Sequence, residues 1–385
     1  MLKKINALIA VVMIVTMFLS ACSNGGGNNA EGDTIKVGYI GPLTGEGAPW
    51  GDAEVNGLKI AVDEINEKGG ILGKQVELFT YDNRGDNVET TNAARRLIEQ
   101  DKVSCIIGTN ASGSSISLSM VCAQYKIPHI ATTATNPKVT VDEDGNVMPY
   151  TFRATLIDPQ QGSIAADFAI EKLNAKKAAV MYDISSDYAN GLTEFFISKY
   201  EENGGTIVSN EAYKAGDVDF RAQLTRIKGS DPDIIFLPAT YKEIALIANQ
   251  SRDLEIDATF VGGDGWISKE LFKLATDSVN GSYFVYSFNI NSETLEPFKE
   301  EYYKRFNKIA GEVSGGCFFT YDCMYVLEQA ITNAGSNDSE AIRDALEKVD
   351  YKGLTGTIKI DPETHNPSKE GAVFKIVGTE YENAQ

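Results

Sequence analysis

The sequence predicts an α/β protein of two lobes, each a parallel sheet flanked by helices. Short apolar runs alternate with amphipathic stretches from Thr34 onward, the signature of βα units. The pattern halts at the polar loop Asp142-Glu143-Asp144-Gly145-Asn146 and restarts at Ala178. About 350 residues follow the N-terminal leader, too many for one ordinary core and comfortable for two.

Ile35 to Ile40 reads as the first strand. A Gly/Pro loop follows, and over residues 51–68 Val55, Leu58, Val62 and Ile65 fall at helical spacing, with Gly69-Gly70 as the stop. Val76 to Tyr81, Val103 to Ile107 and Ile127 to Ala131 read as further strands. Helices carrying Ala93, Ala94, Leu97, Ile98 and Ile116, Met120, Ala123 lie between them. After the polar loop, Ala178 to Tyr182, Thr206 to Ser209, Ile234 to Leu237 and Thr259 to Val261 read as strands of a second lobe, and Tyr283 to Tyr286 comes next. Helical segments follow around 293–309, 320–334 and 339–349, then two β-like pieces, Gly356 to Ile360 and Val373 to Val377. No sequence repeat of solenoid period is present, so the doubling lies in the pattern alone.

The first residues are an address. Lys3 and Lys4 precede an apolar run from Ala7 to Leu19 that ends in small residues, as in a secretory signal peptide. That run is well short of the roughly 20 residues a helix needs to span a bilayer core. Leu19-Ser20-Ala21-Cys22 looks like a bacterial lipobox, which predicts a signal peptide over 1–21 and a lipid on Cys22. The Gly/Asn/Ser tract of residues 22–33 predicts a flexible tether. The protein is thus expected outside the cytoplasm and anchored to the cell membrane.

Formal charge is −19, and removal of Lys3 and Lys4 with an acid-free leader takes the mature chain to −21. A backbone-binding nucleic-acid protein needs clustered Lys and Arg, so this balance argues against nucleic acid as a partner. With Cys22 lipidated, Cys105, Cys122, Cys317 and Cys323 remain. An oxidising compartment would permit pairing, but each sits in an apolar context with no CxxC spacing, which favours buried free thiols over disulfides or zinc.

Several motifs invite an enzymatic reading and fail it. Gly45-x-Gly47-x-x-x-Gly51 follows a strand and precedes a helix, but its spacing departs by one residue from a dinucleotide fingerprint, and Pro42 and Pro49 flank the loop. The only histidines, His129 in an apolar run and His365 in a Pro/Asn-rich turn, suit structural roles. No GxSxG, HExxH or Walker loop occurs. Asp142 to Asn146 lacks the ligand spacing of an EF-hand and reads as a solvated turn. No catalytic residue, metal site or cofactor is expected.

A set of separated motifs carries a resemblance: Val37-Gly38-Tyr39-Ile40-Gly41-Pro42-Leu43-Thr44-Gly45, Asn56-Gly57, Gly69-Gly70-Ile71-Leu72-Gly73, Tyr81-Asp82, Ser112-Gly113 and Ala134-Thr135-Asn136-Pro137. Further on stand Phe152-Arg153 ahead of Asp158, Asp187-Tyr188-Ala189-Asn190-Gly191, Gly263-Asp264-Gly265-Trp266 and Tyr321-Asp322. In this order they resemble the leucine/isoleucine/valine-binding protein family, amino-acid receptors of ABC importers with the type I periplasmic-binding-protein fold. The resemblance implies three crossings between lobes, near Phe152 to Thr155, Gly281 to Tyr286 and Leu354 to Lys359. Lobe one would then comprise 34–153 plus 286–354, and lobe two 154–285 plus 355–385.

The resemblance also implies a site for an α-amino acid. Ser112 and Thr135 would meet its carboxylate through hydroxyls and helix N-terminal amides, with Thr133 donating through its backbone. Asp264 would meet the ammonium, with Tyr188 adding its hydroxyl. Trp50, Tyr241 and Phe319 would line the wall, with Phe318 a weaker candidate and the Thr240-Tyr241 pair leaving one wall position open by one place. Taken alone, Ser112 and Thr135 would read as helix caps and Asp264 as a turn residue. The implied partners are an amino acid, most readily a branched-chain one, and an importer permease, with the chain itself monomeric. A ligand sensor for an amide or amino acid, a secreted dinucleotide-dependent enzyme and an adhesin are the rival readings.

Overall fold

The computed structural model describes residues 34–384. The expected signal peptide, tether and Cys22 lipidation lie outside the described residues. In chain order the elements are β1 (Thr34–Gly41), α1 (Ala48–Glu67), β2 (Gln75–Asp82), α2 (Asn87–Arg96), β3 (Cys105–Gly108), α3 (Ser112–Tyr125), β4 (His129–Ala131) and β5 (Thr151–Arg153). There follow α4 (Asp158–Glu171), β6 (Lys177–Asp183), α5 (Asp187–Glu202), β7 (Thr206–Tyr213), α6 (Arg221–Ser230), β8 (Ile234–Phe236), α7 (Tyr241–Asp253), β9 (Thr259–Gly262), α8 (Lys269–Ala275) and β10 (Tyr283–Tyr286). The chain closes with α9 (Glu296–Phe306), α10 (Gly316–Ala334), α11 (Ser339–Leu346), β11 (Asp350–Gly353), β12 (Gly356–Lys359), β13 (Ala372–Val377) and β14 (Glu380–Asn383).

These elements make two lobes. The first sheet runs β2-β1-β3-β4-β5, and the second runs β14-β13-β10-β9-β8-β6-β7. The second is parallel except where β13 pairs antiparallel with β10 and β14 with β13. The interior strands of such sheets are covered on both faces and so are apolar on both sides. In β1, Ile35, Val37 and Tyr39 pack with the residues of α1 and α10, while Ile40 turns to Ala93, Ala94, Leu97 and Leu118 of the opposite helical layer. In β6, Ala178 and Val180 join Phe196 and Tyr200 of α5, while Ala179 and Met181 face Leu224, Ile244 and Ile247 of α6 and α7. Phe196 stacks on Phe236 of β8 with centroids 3.8 Å apart.

Cys105, Cys122, Cys317 and Cys323 are free and buried in these layers, where burial raises each thiol above its usual range. His129 is fully buried with Nε2 against the Gly108 carbonyl, and His365 stacks on Phe152 at 4.2 Å. Among the described residues no helix is long and apolar enough to cross a membrane.

The chain passes from β5 into α4 and from β10 into α9, and Thr155 and Ser287 on these two passages share a hydroxyl hydrogen bond of 2.8 Å. The third passage differs from the expected Leu354 to Lys359. There β12 pairs with β11 in a hairpin, and the Asp322 carboxylate of α10 accepts from the Leu354 and Thr355 amides at 2.8 Å and from Thr355 Oγ1 at 2.6 Å. The following segment stays on the first lobe: His365 Nδ1 bonds the Thr151 carbonyl at 3.0 Å, and Thr140 Oγ1 donates to Asn366 at 3.1 Å. The chain reaches the second sheet only at β13. A buried carboxylate with three donors holds residues 354–355 on lobe one, so the passage falls later.

Candidate functional site

A cavity of about 740 Å³ opens where the carboxyl ends of both sheets face each other, the usual place for a ligand in open α/β sheets. Lobe one contributes the loop running into α1, the first turn of α3, the loop after β4 and the start of α10. Lobe two contributes the loops after β6 and β9 and the residue before α7.

Seven of the eight sequence-predicted side chains line this cavity: Trp50, Ser112, Thr133, Thr135, Tyr188, Asp264 and Phe319. Tyr241 does not. It stands edge-on to the Trp50 ring, centroids 5.8 Å apart at 89°, and Thr240 takes the lining position. The reason is register: Thr240 is the residue before α7, at the cavity, and Tyr241 opens the helix and turns toward Trp50. Phe319 is 1% exposed and lines the cavity, whereas Phe318 packs inward on Phe288 and Phe298.

Neither Ser112 nor Thr135 serves as a helix cap. Ser112 is the first residue of α3 and its Oγ accepts from the Asn136 amide at 3.3 Å. The neighbouring Asn136 does the capping, its side chain accepting from the Lys138 amide, and the buried Thr135 Oγ1 has no hydrogen-bond partner among the described residues. The first turn of α3, Ser112 to Ser114, faces the cavity, and the amides of a first helical turn have no acceptor within their own helix. Thr133 Oγ1 reaches the Asn110 carbonyl at 3.4 Å. Arg153, fully buried, clamps the loop from beneath by donating to the Ala134 and Asn136 carbonyls at 2.8 and 2.7 Å.

Opposite stands Asp264, just after β9. Its amide donates to Gln161 Oε1 at 3.1 Å, and the Gly265 amide donates to the Tyr188 hydroxyl at 3.3 Å. Desolvation pushes the Asp264 carboxyl up to about 6, against hydrogen bonding from Tyr188.

Two acids were not among the expected site residues. Asp158, the first residue of α4, is fully buried and neither carboxyl oxygen has a hydrogen-bond partner among the described residues. Burial raises it to about 8, with Asp264 adding to the rise and Arg153 opposing it. Its amide donates to the Thr135 carbonyl at 2.9 Å, which ties it to the lobe-one loop. Glu54 lines the cavity from α1 and is 1% exposed. Asp158 was visible only as a motif letter, and Glu54 only as an acid falling four residues after Trp50 on the predicted helix.

Buried polar atoms are normally satisfied, and here Thr135 Oγ1, both Asp158 oxygens and Gln161 Nε2 are not. From lobe one the hydroxyls of Ser112, Thr133 and Thr135, the first turn of α3 and the rings of Trp50 and Phe319 line the cavity, and from lobe two the buried carboxyl of Asp264 enters it beside the Tyr188 hydroxyl. Such a cavity suits a small molecule with an anionic end, a cationic end and an apolar body. No group of three or more His, Cys, Asp or Glu placed to hold a metal occurs among the described residues.

Residues 34–380 match the periplasmic binding protein family. The Leu/Ile/Val-binding protein BraC3 of Rhizobium johnstonii is 34% identical over 316 residues, 81% of this chain and 83% of the relative. A leucine binding protein, LivK, from Thermotoga maritima superposes with a TM-score of 0.83 at 32% identity, covering 91% of this chain and 98% of that one. The branched-chain amino acid transporter substrate binding protein LivJ from Streptococcus pneumoniae, in complex with isoleucine, gives 0.82 at 34%, again covering 91% and 98%.

Proposed function

The chain belongs to the periplasmic binding protein family, and from that premise we propose that it captures a branched-chain amino acid between its lobes and delivers it to the permease of an ABC importer. The observation that carries this reading is that the hydroxyls of Ser112, Thr133 and Thr135 from lobe one and the buried carboxyl of Asp264 from lobe two line one cavity. The carboxylate docks on lobe one against Ser112, the Thr133 backbone and Thr135. The ammonium meets Asp264, with Tyr188 and Asp158 beside it, and Trp50 and Phe319 cover the aliphatic body. Lobe two swings onto the docked ligand about the passages between lobes, and a lipid on Cys22 keeps the protein at the membrane.

Relatives named for leucine, isoleucine and valine, and one bound to isoleucine, support the ligand class. The direct test is thermal unfolding of the ligand-stripped protein against a panel of amino acids, amides and nucleotides. A ligand at 100 times its dissociation constant adds about 2.7 kcal/mol of stability. Stabilisation by aliphatic amino acids is expected; stabilisation by a dinucleotide alone would overturn the reading.

A further inference from the structure

Glu54 is a buried acid with no cation beside it among the described residues. Its Oε2 accepts from the Tyr39 hydroxyl and its Oε1 from Thr132 Oγ1, both at 2.7 Å, and its carbonyl accepts from Thr320 Oγ1 at 2.8 Å. A side chain on Gly316 would press on it, since a Cβ there would lie 2.8 Å from Glu54 Cγ. The groups that face it are Tyr39 from β1, Thr132 from the loop after β4, and Cys317 and Cys323 from α10. No described residue forms an ion pair with it.

One carboxyl thereby joins the segments that make the lobe-one wall. Thr132 immediately precedes Thr133, Gly316 opens the helix that carries Phe319, and Trp50 lies one turn before Glu54 on the same face of α1. A buried carboxylate without a countercharge is costly, and burial pushes this one up to about 7 while Tyr39 and Thr132 oppose the rise. A second anion docking on the adjacent loop raises that cost further unless Glu54 is protonated.

Resting on the proposed amino-acid reading, we propose that Glu54 is a positioning residue of the cleft: held between Tyr39 and Thr132, it sets the loop that receives the ligand carboxylate and takes up a proton when that carboxylate docks. Protonation keeps both hydroxyl contacts possible, because each hydroxyl can accept as well as donate. Binding is therefore tighter below neutrality than above it, as far as this group governs it.

The test is calorimetric titration of the mature protein with leucine, isoleucine and valine from pH 6 to pH 8, in buffers of differing ionisation enthalpy, for wild type and Glu54→Gln. If docking raises Glu54 by one unit from about 7, affinity falls about fivefold across that range, and the wild type takes up a fraction of a proton that the variant does not. Asp264 and Asp158 titrate in both proteins, so the difference between them reports Glu54. The same pH profile and proton count in both proteins would overturn the inference while leaving the amino-acid reading intact; no binding of any of the three by wild type would overturn both. Should Glu54→Gln not fold, Thr132→Val removes one donor and is expected to move the profile's midpoint upward. An unmoved midpoint overturns the inference.

Discussion

The lobe-one wall of the cleft presents hydroxyls and a helix N-terminus, with its acid Glu54 already bonded from two sides, whereas the lobe-two wall presents Asp264 beside Tyr188, with Asp158 close behind. Lobe one is braced from within, because Arg153 holds the carbonyls of the receiving loop and Glu54 holds its side. Lobe two carries its charge on a short turn whose amides donate single hydrogen bonds to Gln161 and Tyr188. On the proposed reading the contrast teaches that neither wall binds a zwitterion alone: one would supply a fixed receptor for the anion, the other a countercharge that is useful only once the cation is there.

The largest break in this comparison comes from the charge itself. Asp264→Ala leaves a buried ammonium unpaired and should cost about 3 to 5 kcal/mol of binding, read by calorimetry; unchanged affinity would remove Asp264 from the site. On the opposite wall, Ser112→Ala and Thr135→Val each delete one hydrogen bond to a charged group and should cost about 1.5 to 3 kcal/mol. Equal losses for an amino acid and for its amide would show that these hydroxyls do not meet the carboxylate.

A third test uses the ligand-free protein. Asp264, Glu54 and Asp158 sit at about 6, 7 and 8 against ordinary values of 3.8, 4.5 and 3.8. A carboxyl raised by folding supports the fold fully below its unfolded value, and that support is lost as pH rises through the folded value. Through these groups stability should fall between about pH 4 and pH 8. Asp158→Asn should flatten the part above pH 6 by up to about 1.4 kcal/mol per pH unit, the value of one proton. Denaturant unfolding at several pH values reads this directly, and parallel curves for variant and wild type would place the slope elsewhere. The smallest effect belongs to Tyr241→Ala, which stands edge-on to the Trp50 ring of the cavity wall and should cost about 0.5 to 1.5 kcal/mol. A loss as large as that of Asp264→Ala would mean that Tyr241 meets the ligand itself.

The strands with apolar runs were legible because a sheet covered on both faces demands them, as in β1, β3 and β10. Thr151–Arg153, Asp350–Gly353 and Glu380–Asn383 were not. The first is three residues long and ends in a buried arginine, and the other two are polar strands paired antiparallel, held by backbone bonds that leave no hydrophobic period. The site residues were reached through motifs, and seven of eight line one cavity. Tyr241 missed by a single position, since a one-residue step at a helix start turns a side chain by a large part of a turn.

By itself the sequence determined the α/β alternation, the two sheets' main strands, the acidic balance and the residue types that crowd the cleft, because each follows from local pattern and composition. Only the tertiary structure decided that residues 354–367 stay with the first lobe, that Thr240 and not Tyr241 lines the cavity, and that Asp158 and Glu54 are buried beside it. Those outcomes depend on partners distant in the chain, Asp322 for Thr355, Trp50 for Tyr241 and Tyr39 with Thr132 for Glu54, and a carboxylate's burial and countercharge exist only once such partners have met.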